Sequence, residues 1–216
     1  MSKKAEMTRD RILDAAQAQV MERGFAATSV DAIQASAGIS RGTFFYHFPS
    51  KDALARALIE RYARQDHELT ESLMARAEKL ATDPLQQALV FMGLFEELFR
   101  EVGPVRAGCL FASYSYEAQL FDEQTHRLIA GSIEHFRRVF GGKLEQAMVR
   151  HPTVVPNVDP YDLADLASAA FQGAYVLWRV SNDSARIAMP VEHFRRYVEL
   201  LFGVQGAQPA AARAGA

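Results

Sequence analysis

The chain is cut into helix-length pieces by its own start and stop signals, and this punctuation leaves little room for any fold class but all-α. Residues 7–23 carry Ile12, Ala16 and Val20 at helical spacing, widened by Leu13 and Ala15, and Gly24 comes next as a stop. Thr28 or Ser29 can cap a short second helix, with Asp31 at capping-box distance from Thr28, and Gly38 ends it. Ser40 opens a third short helix from Arg41 to about His47, closed by Pro49. Ser50 then caps a long fourth helix reaching about Leu80. Asp83-Pro84 and Asp159-Pro160 each pair a capping residue with proline at the first helical position. The first of these opens a helix through Leu85, Leu89, Met92, Phe95 and Phe99, which Gly103-Pro104 is expected to break. Helices are expected at about 106–118, 122–150, 160–182 and 191–202, with a three-proline loop at 151–160. Strand-like alternation is sparse. The tail, 204–216, has little to bury and is expected to be disordered.

Bulk numbers exclude more than they assign. At 216 residues, 49% hydrophobic and 23% charged, the composition is that of an ordinary globular chain. No run of eighteen apolar residues occurs. The start, Met1-Ser2-Lys3-Lys4-Ala5-Glu6, lacks the apolar stretch of a signal peptide, so a cytoplasmic protein without membrane contact is expected. One cysteine, Cys109, excludes an internal disulfide framework and a cysteine-rich metal site. The six histidines form no pair at metal-binding helical spacing, which leaves only tertiary meetings. There is neither a glycine-rich phosphate loop nor a nucleophile motif, so no catalytic residue, cofactor or metal is expected. The net charge of −2 is unevenly spread: residues 1–64 hold ten basic and seven acidic side chains, the remainder fourteen and nineteen. A mildly basic front on an acidic body suits nucleic acid bound at one end.

Chemistry concentrates at the third helix. Ala37-Gly38-Ile39-Ser40 joins two short helices as a helix-turn-helix would: glycine allows the sharp turn, Ile39 can fill the angle, and Ser40 caps the second of the pair. In Gly42-Thr43-Phe44-Phe45-Tyr46-His47-Phe48, a helical period puts Phe44 and Phe48 on one face and Gly42, Thr43 and Tyr46 opposite. So short a helix cannot bury every aromatic. Either the outward ones pack as the cap of a bundle, or the helix enters a DNA groove. In the second case small residues permit close approach, Arg41 reaches guanine, and Tyr46, His47 and Lys51 donate to phosphates.

Residues 10–58 resemble the N-terminal DNA-binding domain of the TetR family of bacterial repressors. The resemblance rests on Gly24-Phe25, on Thr28-Ser29-Val30 and Ile33, on Ala37 through Phe48, and on Ser50-Lys51-Asp52-Ala53-Leu54. It implies a third helix inserted in the major groove of double-stranded DNA. Arg41, Gly42, Thr43 and Tyr46 would line bases and sugar edges; Ser29, Ser40, His47 and Lys51 would hold phosphates. Phe45 departs from the family's usual tyrosine and gives up one phosphate contact. One neutral hydrogen bond is worth about 0.5–1.5 kcal/mol, so binding is expected to survive.

Beyond residue 60 the likeness fades. It implies a DNA-binding domain at 1–55, a helical effector-binding and dimerisation body at 56–203, and a homodimer built on the last two helices. The residues support that pairing independently. Leu166 to Trp178 is apolar nearly all round, and Ala169, Ala170, Gly173 and Ala174 would let a second helix come close. The alternative is a helix buried in a monomer. Two-fold pairing predicts a palindromic operator. The abundant aromatics suit a small apolar or aromatic effector, with Met92, Phe95, Cys109, Tyr114, Phe171, Gln172, Tyr175 and Trp178 as expected lining. Phe91, Phe99, Tyr116 and Arg179 lie in the same stretch, and core packing is the competing reading for each aromatic. Gly108-Cys109-Leu110 is similar to a tripeptide of some TetR-like repressors, and in a subset that cysteine resembles an electrophile or oxidant sensor. The remaining expectations are a redox-sensing repressor acting through Cys109 and a helical protein-binding adaptor.

Overall fold

The computed structural model describes residues 3–106, 109–183 and 185–204, the side chains of 102–106 and 185 excepted. Gly108, the Arg106 side chain and the tail beyond Val204 lie outside the described residues. Within them the chain forms α1 (Lys3–Arg23), α2 (Val30–Ala37), α3 (Arg41–His47), α4 (Lys51–Leu80), α5 (Pro84–Arg106), α6 (Leu110–Tyr116), α7 (Glu123–Arg150), α8 (Pro160–Ser181) and α9 (Ala185–Leu201). A 3-10 turn spans Ala118–Leu120, and no strand occurs among the described residues. The fold is all-α, as the punctuation requires.

Most caps are the expected ones. Ser29, not Thr28, caps α2, accepting from Ala32 N, while the buried Thr28 hydroxyl donates to Gly24 O at 2.7 Å. Ser50 accepts from Ala53 N at 3.0 Å to start α4. Asp83 and Asp159 each accept two amides at the starts of α5 and α8.

Four boundaries differ from expectation: α1 starts at Lys3 and α6 at Leu110, not near 7 and 106. Helix α5 runs through Gly103-Pro104 to Arg106. Helix α9 begins at Ala185, not near Val191, and contains Pro190. Ile187, Ala188 and Val191 are all buried on one face, and that burial offsets the bond Pro190 cannot make.

By its contacts the chain divides into two compact units. Among the described residues the first comprises 3–70 with 104–106 and 109–135, and the second comprises 71–103 with 136–183 and 185–204. In unit one, α1 buries Ile12, Leu13, Ala16 and Val20 as one stripe. Arg61 of α4 donates to Asp14 at 2.7 Å and to Gln17 at 3.0 Å on α1. In unit two the core is phenylalanine: Phe91, Phe95 and Phe99 of α5, Phe136 and Phe140 of α7, and Phe171 of α8 interlock. Helices α8 and α9 pack along each other. A buried Lys143 donates to Glu78, Gln87 and Gln146, which satisfies all three ammonium hydrogens.

Candidate nucleic-acid interface

Helices α2 and α3 are held at an angle by the conformation of a single residue. Gly38 has φ +63°, a left-handed state that glycine adopts without penalty, and its N–H reaches Ala35 O at 3.3 Å. Ile39 N–H reaches back to Gln34 O at 3.1 Å, so two end carbonyls of α2 are answered as the chain turns. Ser40 then accepts from Thr43 N at 3.2 Å, and its hydroxyl lies 2.9 Å from Thr43 Oγ1.

Helix α3 divides by face. Phe44 and Phe48 are 0% and 2% exposed, with ring centroids 6.0 Å apart. Arg41, Gly42, Phe45 and Tyr46 face solvent, Tyr46 at 76% exposure, while Thr43 and His47 lie at the edges. The Arg41 guanidinium sits 5.5 Å from the Phe45 ring centroid and 3.8 Å from Asp31. A surface ion pair of that kind is worth no more than about 1 kcal/mol. Tyr46 meets His47 edge-on at 5.0 Å. Ser29 uses an oxygen lone pair for capping, which leaves its hydroxyl hydrogen to donate elsewhere, while the Ser40 and Thr43 hydroxyls share one hydrogen bond and keep one hydrogen between them for another acceptor.

The Lys51 ammonium donates to Phe25 O at 2.7 Å and stands 4.3 Å from the Phe25 ring centroid, so it is tied to the turn between α1 and α2. Partial burial pulls its pKa below the usual lysine range, opposed by the charges of Glu117 and Asp52. Glu117 completes this arrangement. Its carboxylate accepts from Phe25 N at 2.7 Å and from Ala26 N at 3.2 Å, and a β-carbon at Gly24 (φ +86°) would stand 2.8 Å from Glu117 Oε1. The partners are far apart in the chain, so no local pattern flags Glu117. The sequence's one trace of the contact is Gly24 itself, and a helix stop accounts for that equally well.

The expected effector lining divides between the two units. In unit two Met92, Phe95 and Phe171 are buried, Phe95 stacks on Phe171 with centroids 5.3 Å apart, and Tyr175 meets Phe99 edge-on at 5.5 Å. Gln172 and Trp178 are half-buried on the same helix, and the Trp178 indole N–H lacks a hydrogen-bond partner. Arg179 faces solvent. Tyr114 does not join this group. It is a core residue of unit one, stacked on Phe121 at 4.1 Å with its hydroxyl donating to Ala55 O, and burial raises its pKa. Tyr116, close by in the same helix, is exposed. Cys109 belongs to unit one as the N-cap residue of α6 and is buried, a setting that disfavours a reactive thiolate.

Comparison with known proteins agrees with this geometry. Residues 12–58 match the family model described as bacterial regulatory proteins, tetR family. The transcriptional regulator UidR of Escherichia coli K12 is 48% identical over 59 residues, which are 27% of this chain and 30% of UidR, so the chain spans under a third of that relative. The transcriptional repressor DhaR of a Mycobacterium species is 22% identical over 168 residues, covering 76% of this chain and 78% of DhaR. A TetR-family regulator from Agrobacterium tumefaciens has a similar fold: its crystal structure superposes with a TM-score of 0.74 at 21% identity, covering 89% of this chain and 98% of its own. No helix among the described residues is long and apolar enough to cross a membrane. Residues 12–58 are thus similar to the tetR family of bacterial regulatory proteins, and the described chain shares its all-α fold with a TetR-family regulator of known structure.

Proposed function

We propose that this protein is a cytoplasmic transcriptional repressor that binds a palindromic DNA operator as a homodimer and is released by a small apolar or aromatic effector. The observation that carries the reading is the division of α3, with its phenylalanines inward and Arg41, Gly42 and Tyr46 in solvent. Arg41, Gly42, Thr43 and Tyr46 meet bases and sugar edges; Ser29, Ser40 and His47 donate to phosphates; Lys51 acts by holding the turn that carries Ser29. DhaR, which shares most of its length with this chain, is named a repressor, and that supports the sign of the effect.

Pairing is supported by what α8 and α9 leave uncovered. Leu166, Val176, Leu177 and Val180 on α8, with Tyr197 and Leu200 on α9, are exposed apolar residues on the two helices that pack together. The effector is assigned to the aromatic group of unit two, against Met92, Phe95, Phe171 and Tyr175, with Gln172 and the Trp178 N–H as polar anchors. Release then requires only that the effector prefer a dimer whose two reading helices no longer match the half-site spacing.

The test is a mobility-shift titration with duplex DNA from upstream of the protein's own gene, repeated with added aromatic compounds. Binding tighter than to random duplex, weakened by salt and abolished by at least one compound, supports the reading. Equal binding to both duplexes refutes it.

A further inference from the structure

Helices α5 and α9 of unit two carry a group of charges whose shortest contacts all stay within one helix. On α5, Arg100 holds Glu96, one turn back, at 2.6 Å. On α9, Arg195 donates to Glu199 at 3.0 Å and Arg196 holds Glu192 at 3.0 Å. Two contacts cross between the helices, Arg195 to Glu96 and Arg100 to Glu192, and both are 3.5 Å. Each crossing is longer than a charge-assisted hydrogen bond by about half an ångström. The Glu96 carboxylate is buried, and a carboxylate out of water is stable only when donors surround it. Arg195 Nε is buried too and makes no hydrogen bond among the described residues, although Glu96 Oε2 stands 3.5 Å away. A buried donor thus lacks a partner that the facing carboxylate could supply, which is a cost the present spacing leaves standing. Glu96 also follows Phe95 and precedes Phe99 by one turn, so it shares a helix with the aromatic group of unit two.

We propose that this cluster is a partner-exchange coupling between α5 and α9: a small shift of α5 toward α9 closes both crossings and carries a change among the phenylalanines of α5 to a helix of the pairing surface. Arg195 and Arg100 are each shared between a carboxylate of their own helix and one of the other. Closing the crossings therefore weakens pairs within the helices. Gain and loss are of the same kind, which keeps the two arrangements close in energy, as a switch requires. The coupling rests on the effector and pairing assignments proposed above, whereas the exchange itself requires neither.

The test uses the full chain and the variant Glu199→Gln, which removes the carboxylate that competes with Glu96 for Arg195. Arginine Nε–H and phenylalanine ring resonances are followed by NMR, and dimer dissociation by sedimentation. Glu199→Gln is expected to move the Arg195 Nε–H signal downfield as its bond to Glu96 forms, and to shift the rings of Phe95 and Phe99. The dimer dissociation constant should change by about threefold or more, the worth of one partly exposed ion pair. Adding Glu96→Gln should cancel all three effects, since it takes away the acceptor. Arg196→Gln, at an exposed side chain, frees Glu192 for Arg100 and should shift the same rings, which gives a second reading independent of how Glu199→Gln folds. An Arg195 signal unmoved by Glu199→Gln, rings unmoved in both variants, or an unchanged dissociation constant would overturn the coupling. A chain that is monomeric at every concentration refutes the proposed pairing, and with it the coupling, while the exchange is still judged on the NMR signals.

Discussion

At the scale of single residues, the turn between α1 and α2 shows how two charged side chains from distant parts of the chain can hold one loop. Lys51 holds the Phe25 carbonyl from one side while Glu117 holds the Phe25 and Ala26 amides from another. Lys51→Met should lower stability by about 1 kcal/mol and weaken binding to specific and random duplexes alike, read from thermal melts and anisotropy titrations. A pure phosphate clamp would leave the melting temperature unchanged. Asp66 supplies a pH test. Burial pushes its carboxyl up to about 6, so the folded state holds a proton that the unfolded chain releases near 4. Stability contributed at Asp66 is therefore present below about pH 4 and lost as pH rises to about 6. Asp66→Asn should stabilise the protein at pH 8, by at most about 3 kcal/mol given that the residue is partly exposed, and should change nothing near pH 4. Urea melts at the two pH values measure this.

At the scale of elements, α3 is a short helix that owes its position to its ends and to one apolar face. Ser40→Ala should cost about 1 kcal/mol through loss of the cap, and DNA affinity should fall further because the hydroxyl also meets a phosphate in the proposed complex. Calorimetric melts and binding curves separate the two effects. This helix is legible in the sequence because its signals are local: glycine for the turn, serine for the cap, and a helical period that sets Phe44 and Phe48 apart from Tyr46. The start of α9 is not, because Pro190 reads locally as a break and only tertiary burial of Ile187 and Val191 carries the helix past it. Tyr114 misleads in another way: an aromatic at helical spacing announces burial but not which core receives it. The tie between Lys51 and the turn at Phe25 is hidden because the two belong to distant stretches of the chain.

At the scale of the whole molecule, the all-α class follows from punctuation that the sequence displays, whereas the grouping of 104–135 with the N-terminal segment depends on long-range contacts. Glu117 and the charge contacts between α5 and α9 belong to that second kind of information. Pairing through α8 and α9 makes its own prediction. Leu177 and Val180 are exposed, Val180 at 84%, and both should tolerate Asp without loss of fold. Leu177→Asp with Val180→Asp should nevertheless shift the species seen by sedimentation from dimer to folded monomer. Operator affinity should fall at least about tenfold, since one reading helix then binds alone. The central claim, that the solvent face of α3 reads base sequence, is tested most directly by selecting binding sites from a random duplex library with the wild-type protein and with Arg41→Ala. The account predicts that the wild type enriches an inverted repeat, and that Arg41→Ala still binds but loses preference at one symmetry-related pair of positions, at a cost of about 1–3 kcal/mol there. Enrichment of no motif by the wild type, or of the same motif with equal strength by Arg41→Ala, would contradict it.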